Sequence, residues 1–125
     1  MTDTPQPTPA ELDLLRVLWT RGPATVRDIH AALDRDVGYT TVLKLLQIMT
    51  EKGLVTRNVS ARSHIYEAAV GEDVTKRRLV SDLLDRAFGG SRLDLVMQAL
   101  STTPATADEL RQIRALLDTI PGETR

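Results

Sequence analysis

The apolar pattern of this chain changes period at Gly53. Before it, in "VGYTTVLKLLQIMTEKGLV", apolar residues recur at helical spacing. After it, "LVTRNV" and "HIYEAA" repeat every second residue around "SARS". Glycine reaches the left-handed conformation that ends a helix without a Cβ penalty, so the pattern predicts a helix from Tyr39 or Thr40 to Lys52 and then a β-hairpin. Lys52 in the last turn suits the helix dipole.

Two shorter helices precede this one. In "TPAE", Thr8 can cap, Pro9 suits the first helical position and Glu11 can complete a capping box. That helix runs from Pro9 to about Thr20, with Leu12, Leu15, Leu18 and Trp19 on one face and Trp19 as a core anchor. "TVRD" opens the next, capped by Thr25 with Asp28 as its acid, burying Val26, Ile29 and Leu33 and ending near Asp36. Three short helices followed by a two-stranded hairpin spell a winged helix over residues 8–70, a helix-turn-helix variant carrying a β-ribbon.

The remainder, residues 71–122, reads as helix. A long segment to about Phe88 carries Leu79, Val80, Leu83, Leu84, Ala87 and Phe88 inward and breaks at Gly89 and Gly90. Ser91 and Asp94 suit a capping box for a helix with Leu93, Val96, Met97 and Leu100. "TPATADE" starts a last helix with Leu110, Ile113, Leu116, Leu117 and Ile120. Three such helices bury too little surface alone to offset their ordering entropy, so a second copy is the simplest partner. Leu79, Leu83, Leu84, Phe88, Val96, Met97, Leu100, Leu116, Leu117 and Ile120 are the expected dimer contacts. The fold class is therefore mainly α with a small β-hairpin: a winged helix-turn-helix domain followed by a three-helix dimerisation region.

Composition narrows the function. Aromatic residues are only 3%, which disfavours stacking platforms for RNA, and the absence of cysteine closes thiolate chemistry and fits a reducing cytoplasm. The N-terminal "MTDTPQPTP" lacks the pattern of a secretory signal and no run is apolar enough to span a bilayer, so a cytoplasmic chain without membrane insertion is expected. The net charge of −1 is no signature of a nucleic-acid binder, but within 37–66 Lys44, Lys52, Arg57 and Arg62 oppose only Glu51, a local +3. That basic window contains the third helix.

On that helix, Val42, Leu45, Leu46 and Met49 cluster inward, Thr40, Lys44, Gln47 and Glu51 lie opposite, and Thr41, Leu43 and Ile48 flank them. A solvated surface is the ordinary reading of such a face. Placed before a hairpin, it is also a DNA-reading face: Gln pairs with adenine, Lys with guanine, Thr adapts to either, and an exposed Leu43 can pack on a thymine methyl. Thr40 and Thr41 sit where hydroxyls and backbone amides can hold phosphate, although Thr40 is equally suited to be the helix cap. Arg57, and Ser60, Arg62 and Ser63 near the hairpin tip, fall where a wing meets the DNA backbone or minor groove. No catalytic residues, metal site or cofactor are expected, since His30 and His64 have no spaced partner.

The blocks "TPAELDLLRVLW", "PATVRDIHAAL", "YTTVLKLLQIMTEKGLV", "HIYEA" and "FGG" together resemble the penicillinase repressor family (BlaI/MecI), over nearly the whole chain. The resemblance implies a homodimeric repressor of β-lactam-resistance or related stress genes, bound to palindromic operators of double-stranded DNA. It places Thr40, Thr41, Leu43, Lys44 and Gln47 on the recognition helix and Arg62 on the wing; Leu43 and Ile48 stand where well-known members carry basic residues. It also implies induction by a membrane-bound sensor protease, cutting near Gln98 and Ala99, where well-known members have an Asn-Phe pair. The copper-responsive branch is excluded by the missing cysteine cluster. The alternatives are a ligand-sensing winged-helix regulator and a winged helix that binds a protein through Leu43 and Ile48.

Overall fold

The computed structural model describes residues 5–33, 36–60 and 62–122. Its elements run α1 (Pro9–Arg21), α2 (Val26–Ala32), α3 (Tyr39–Lys52), β1 (Val55–Asn58), β2 (Ile65–Ala68), α4 (Glu72–Phe88), α5 (Arg92–Ser101) and α6 (Ala107–Thr119). The chain divides into two compact units, Met1–Ser81 and Asp82–Arg125.

In the first unit the expected caps form. Thr8 and Glu11 close a capping box on α1, and Thr25 and Asp28 close one on α2. Helix α2 ends at Ala32 instead of continuing towards Asp36, because Leu33 turns extended at φ −72°, ψ 129°; residues 34 and 35 of the expected helix lie outside the described ones. Helix α3 ends at Gly53, left-handed at φ 83°, ψ 13°, whose N–H returns to the last turn.

Strands β1 and β2 pair antiparallel, with Val55 opposite Ala68 and Asn58 opposite Ile65. Ala24 adds a bridge on the other edge of β2: its N–H donates to the Tyr66 carbonyl at 2.9 Å and its carbonyl accepts from the Tyr66 N–H at 2.8 Å. The wing is thereby anchored to the start of α2 by backbone. Tyr66 is buried with Leu14, Leu15, Leu18, Ile29, Val42, Leu46, Met49, Leu54 and Val55 in one core. Leu14, absent from the face expected for α1, is 2% exposed, whereas Leu12 is only half-buried.

Trp19 is half-buried, and its Nε1–H donates to the Val70 carbonyl at 3.0 Å, tying α1 to the chain beyond the wing. Thr75, 5% exposed, donates its hydroxyl to the Gly71 carbonyl at 2.7 Å in the first turn of α4.

In the second unit, Ser91 accepts from the Asp94 N–H, one half of the expected box, and Thr106 with Glu109 completes a full one on α6. Neither α5 nor α6 buries a residue. No helix among the described residues is long and apolar enough to cross a membrane.

Candidate nucleic-acid interface

Helix α3 presents its polar face as the sequence periodicity requires. Val42, Leu46 and Met49 are fully buried, which turns Thr40, Thr41, Lys44, Gln47 and Glu51 to solvent. The helix is capped by Gly38 with no side-chain hydrogen bond, so Thr40 is not the cap and its hydroxyl stays on the exposed face. Ile48 is exposed on the flank.

Leu43 differs from its expected exposure. It is half-buried and packs against the core, so most of its apolar surface has a folding role and only part is left on the outer face. Periodicity placed it on a flank; the approach of α2 and the wing, which no local pattern encodes, covers that flank.

The basic window is also smaller than its sequence count. Lys52 reaches back to α1, where its ammonium lies 2.6 Å from the Glu11 carboxylate, and Glu11 is 3% exposed. Burial raises the Glu11 pKa, but the Lys52 ammonium and the Thr8 amide and hydroxyl outweigh it and hold the carboxyl below its ordinary 4.5. Lys52 is thus committed to packing α3 on α1. Lys44, Arg57 and Arg62 remain exposed and enter no ion pair among the described residues.

At the wing, Asn58 Oδ1 accepts from the Ser60 N–H at 2.9 Å and the Ser60 hydroxyl at 2.6 Å, a side-chain turn that shapes the tip. Ala61 lies outside the described residues. Arg62 and Ser63 follow, and both line a cleft with Thr25, Arg27, Tyr39, Leu43 and His64. The structure therefore brings the start of α3 and the descending arm of the wing to one cleft, whereas Gln47 lies farther along α3. Arg27, Tyr39 and His64 were not singled out as binding residues, because nothing in their local spacing marks them. His30 is structural: its Nε2 lies 2.6 Å from the Val37 carbonyl and its ring meets Tyr39 edge-on at 6.0 Å.

Such an arrangement offers hydrogen-bonding groups on a helix of major-groove size, cations beside it and a β-ribbon next to them. A family model described as penicillinase repressor matches residues 7–119. The chain is 38% identical over 106 residues to the transcriptional regulator BlaI of Mycobacterium tuberculosis, covering 81% of this chain and 77% of that protein. It is 21% identical over 113 residues to the penicillinase repressor of Staphylococcus aureus, covering 89% and 90%. The fold of 58% of this chain is matched by 90% of the solution structure of the DNA binding domain of the repressor BlaI, with TM-score 0.51 and 22% identity.

Proposed function

Since the chain belongs to the penicillinase repressor family, we propose that it is a homodimeric transcriptional repressor whose two α3 helices each enter a major groove of a palindromic operator, with half-sites about one helical turn apart or a small multiple of that. The observation that carries this reading is the exposed row Thr40, Lys44 and Gln47 on α3, together with the exposed wing cations Arg57 and Arg62, which enter no ion pair among the described residues. Residues 8–70 act as the DNA-binding domain and residues 71–122 as the dimerisation domain. Thr40, Thr41, Leu43, Lys44 and Gln47 meet base edges or adjacent phosphates, and Arg57, Arg62 and Ser63 meet the backbone.

Support for the dimer comes from the apolar side chains left in water. Leu83 on α4, Met97 on α5, Leu116 and Leu117 on α6, and Ile120 just past it are 49%, 57%, 58%, 62% and 56% exposed; among the described residues α4 buries only Thr75, and α5 and α6 none. Covering apolar surface stabilises by about 25 cal/mol per Å². Symmetry then doubles the base contacts, each discriminating by about 1 to 3 kcal/mol.

The regulated genes are of the β-lactam-resistance or related stress type, and the chain works in the cytoplasm, without membrane insertion. The family resemblance implies induction through a membrane-bound sensor protease with cleavage near Gln98 and Ala99, where this chain departs from the Asn-Phe pair of well-known members; release from DNA by a small ligand is the alternative. Both residues are exposed within α5, and cutting requires that helix to open locally. Mass spectrometry of the chain from β-lactam-treated cells tests this: fragments ending at Gln98 are expected, and an intact, operator-released chain would contradict it.

The test of DNA recognition is the double variant Lys44→Ala, Arg62→Ala, assayed by fluorescence anisotropy on duplexes selected by the parent chain. Weakened binding is expected. Full affinity in the double variant would refute the proposed surface, and failure of the parent to retain genomic DNA at moderate salt would favour a protein-binding winged helix.

A further inference from the structure

The cleft between α2, α3 and the wing has a volume of about 480 Å³, and its rim carries Arg27 from α2, Tyr39 from α3, and Arg62, Ser63 and His64 from the wing. Thr25, Val26, Leu43 and Tyr66 complete the lining, and among the described residues no carboxylate contributes to it. Of the two acids adjacent to lining residues in sequence, Glu67 does not line the cleft, and Asp28 is drawn elsewhere: one oxygen lies 3.5 Å from Arg21 and the other accepts from the Thr25 N–H at 3.4 Å. Arg27 is exposed and, like Arg62, enters no ion pair among the described residues. Two guanidinium groups, an imidazole and several hydroxyls without an opposing anion have the donor chemistry of a phosphodiester site.

The geometry points to a seat for the DNA phosphate backbone in this cleft, with Arg27 on one wall and Arg62 on the other. This rests on the DNA-binding reading above and extends the interface from α3 and the wing to α2. The backbone pairing of Ala24 with Tyr66 ties the backbone of one wall to that of the other, so the cleft itself is formed before DNA arrives. A contact to phosphate carries no base information, so Arg27 contributes equally on every sequence and sets affinity and register, not preference.

The experiment measures Arg27→Ala, Arg27→Lys and Arg16→Ala in the full chain, on a selected operator and on an unrelated duplex, across a series of salt concentrations. Arg16 is an exposed cation on α1 that lines a separate groove, so its removal controls for net charge. Arg27→Ala is expected to weaken both duplexes by about the same factor, roughly tenfold per protomer, and to reduce the salt slope by about one per protomer. Arg27→Lys should recover most of the loss, and Arg16→Ala should change neither duplex. Unchanged affinity in Arg27→Ala, a loss confined to the operator, or an equal loss in Arg16→Ala would each overturn the phosphate seat while leaving the DNA-binding reading intact. A parent chain that binds no duplex at all would overturn both.

Discussion

One oxygen of Glu11, Oε1, accepts from the Thr8 amide at 2.9 Å and from the Lys52 ammonium at 2.6 Å, joining the cap of α1 to the end of α3. Replacing Lys52 with methionine leaves that buried carboxylate short of a partner. Urea denaturation should show a loss of about 1 to 3 kcal/mol, reduced from a fully buried pair because the ammonium is partly solvated. The folded-state pKa of Glu11 lies below its ordinary 4.5, so its contribution is fully present above about that pH. It is lost as pH falls further and the carboxylate takes up its proton. Acid titration of Glu11→Gln should therefore show a shallower fall in stability than the parent; parallel curves would contradict the assignment. The capping role of Glu11 was legible in "TPAE", but its partner, 41 residues away, was not. Spacing reports neighbours along a helix and is silent on which helix ends meet in space. Lys52 was counted among the surface cations for that reason.

At the scale of elements, the capped starts and glycine stop were readable because the chain's own backbone imposes them. Gly53 needs φ 83°, so Gly53→Ala should destabilise by about 1 to 2 kcal/mol in thermal or urea melts, even though an added Cβ meets nothing within 4 Å. Trp19→Phe keeps an aromatic ring, though a smaller one, and removes the Nε1–H bond to the Val70 carbonyl. A loss of about 1 kcal/mol is expected, and an unchanged melting midpoint would show that water replaces the indole without cost. Trp19 looked like a core anchor in the sequence, and the structure adds the hydrogen bond that half-exposure permits. The burial of Leu43 and the cleft beside it were not readable, since both arise where α2, α3 and the wing converge. The polar row of α3 was, because it needs only a helical period.

For the whole molecule, the helical period of the apolar residues on α4, α5 and α6 was legible, but not their burial: Val80 and Leu83, expected inward, are exposed in a single copy, as are Met97, Leu116 and Leu117, whereas Leu79, Leu84 and Phe88 are half-buried. Sedimentation should give a dimer for the full chain and a monomer for residues 1–81, which contain all of the buried hydrophobic core found among the described residues. The double variant Leu116→Asp, Leu117→Asp should likewise sediment as a monomer, and its operator affinity should fall because each copy then binds one half-site alone; a persisting dimer would place the interface elsewhere. The central claim, that paired α3 helices read a symmetric site, is tested most directly by selecting duplexes from a random-sequence pool with the full chain. The account predicts enrichment of an inverted repeat whose half-sites are centred about one helical turn apart, or a small multiple of it. Enrichment of a single unrepeated motif, or of none, would contradict it.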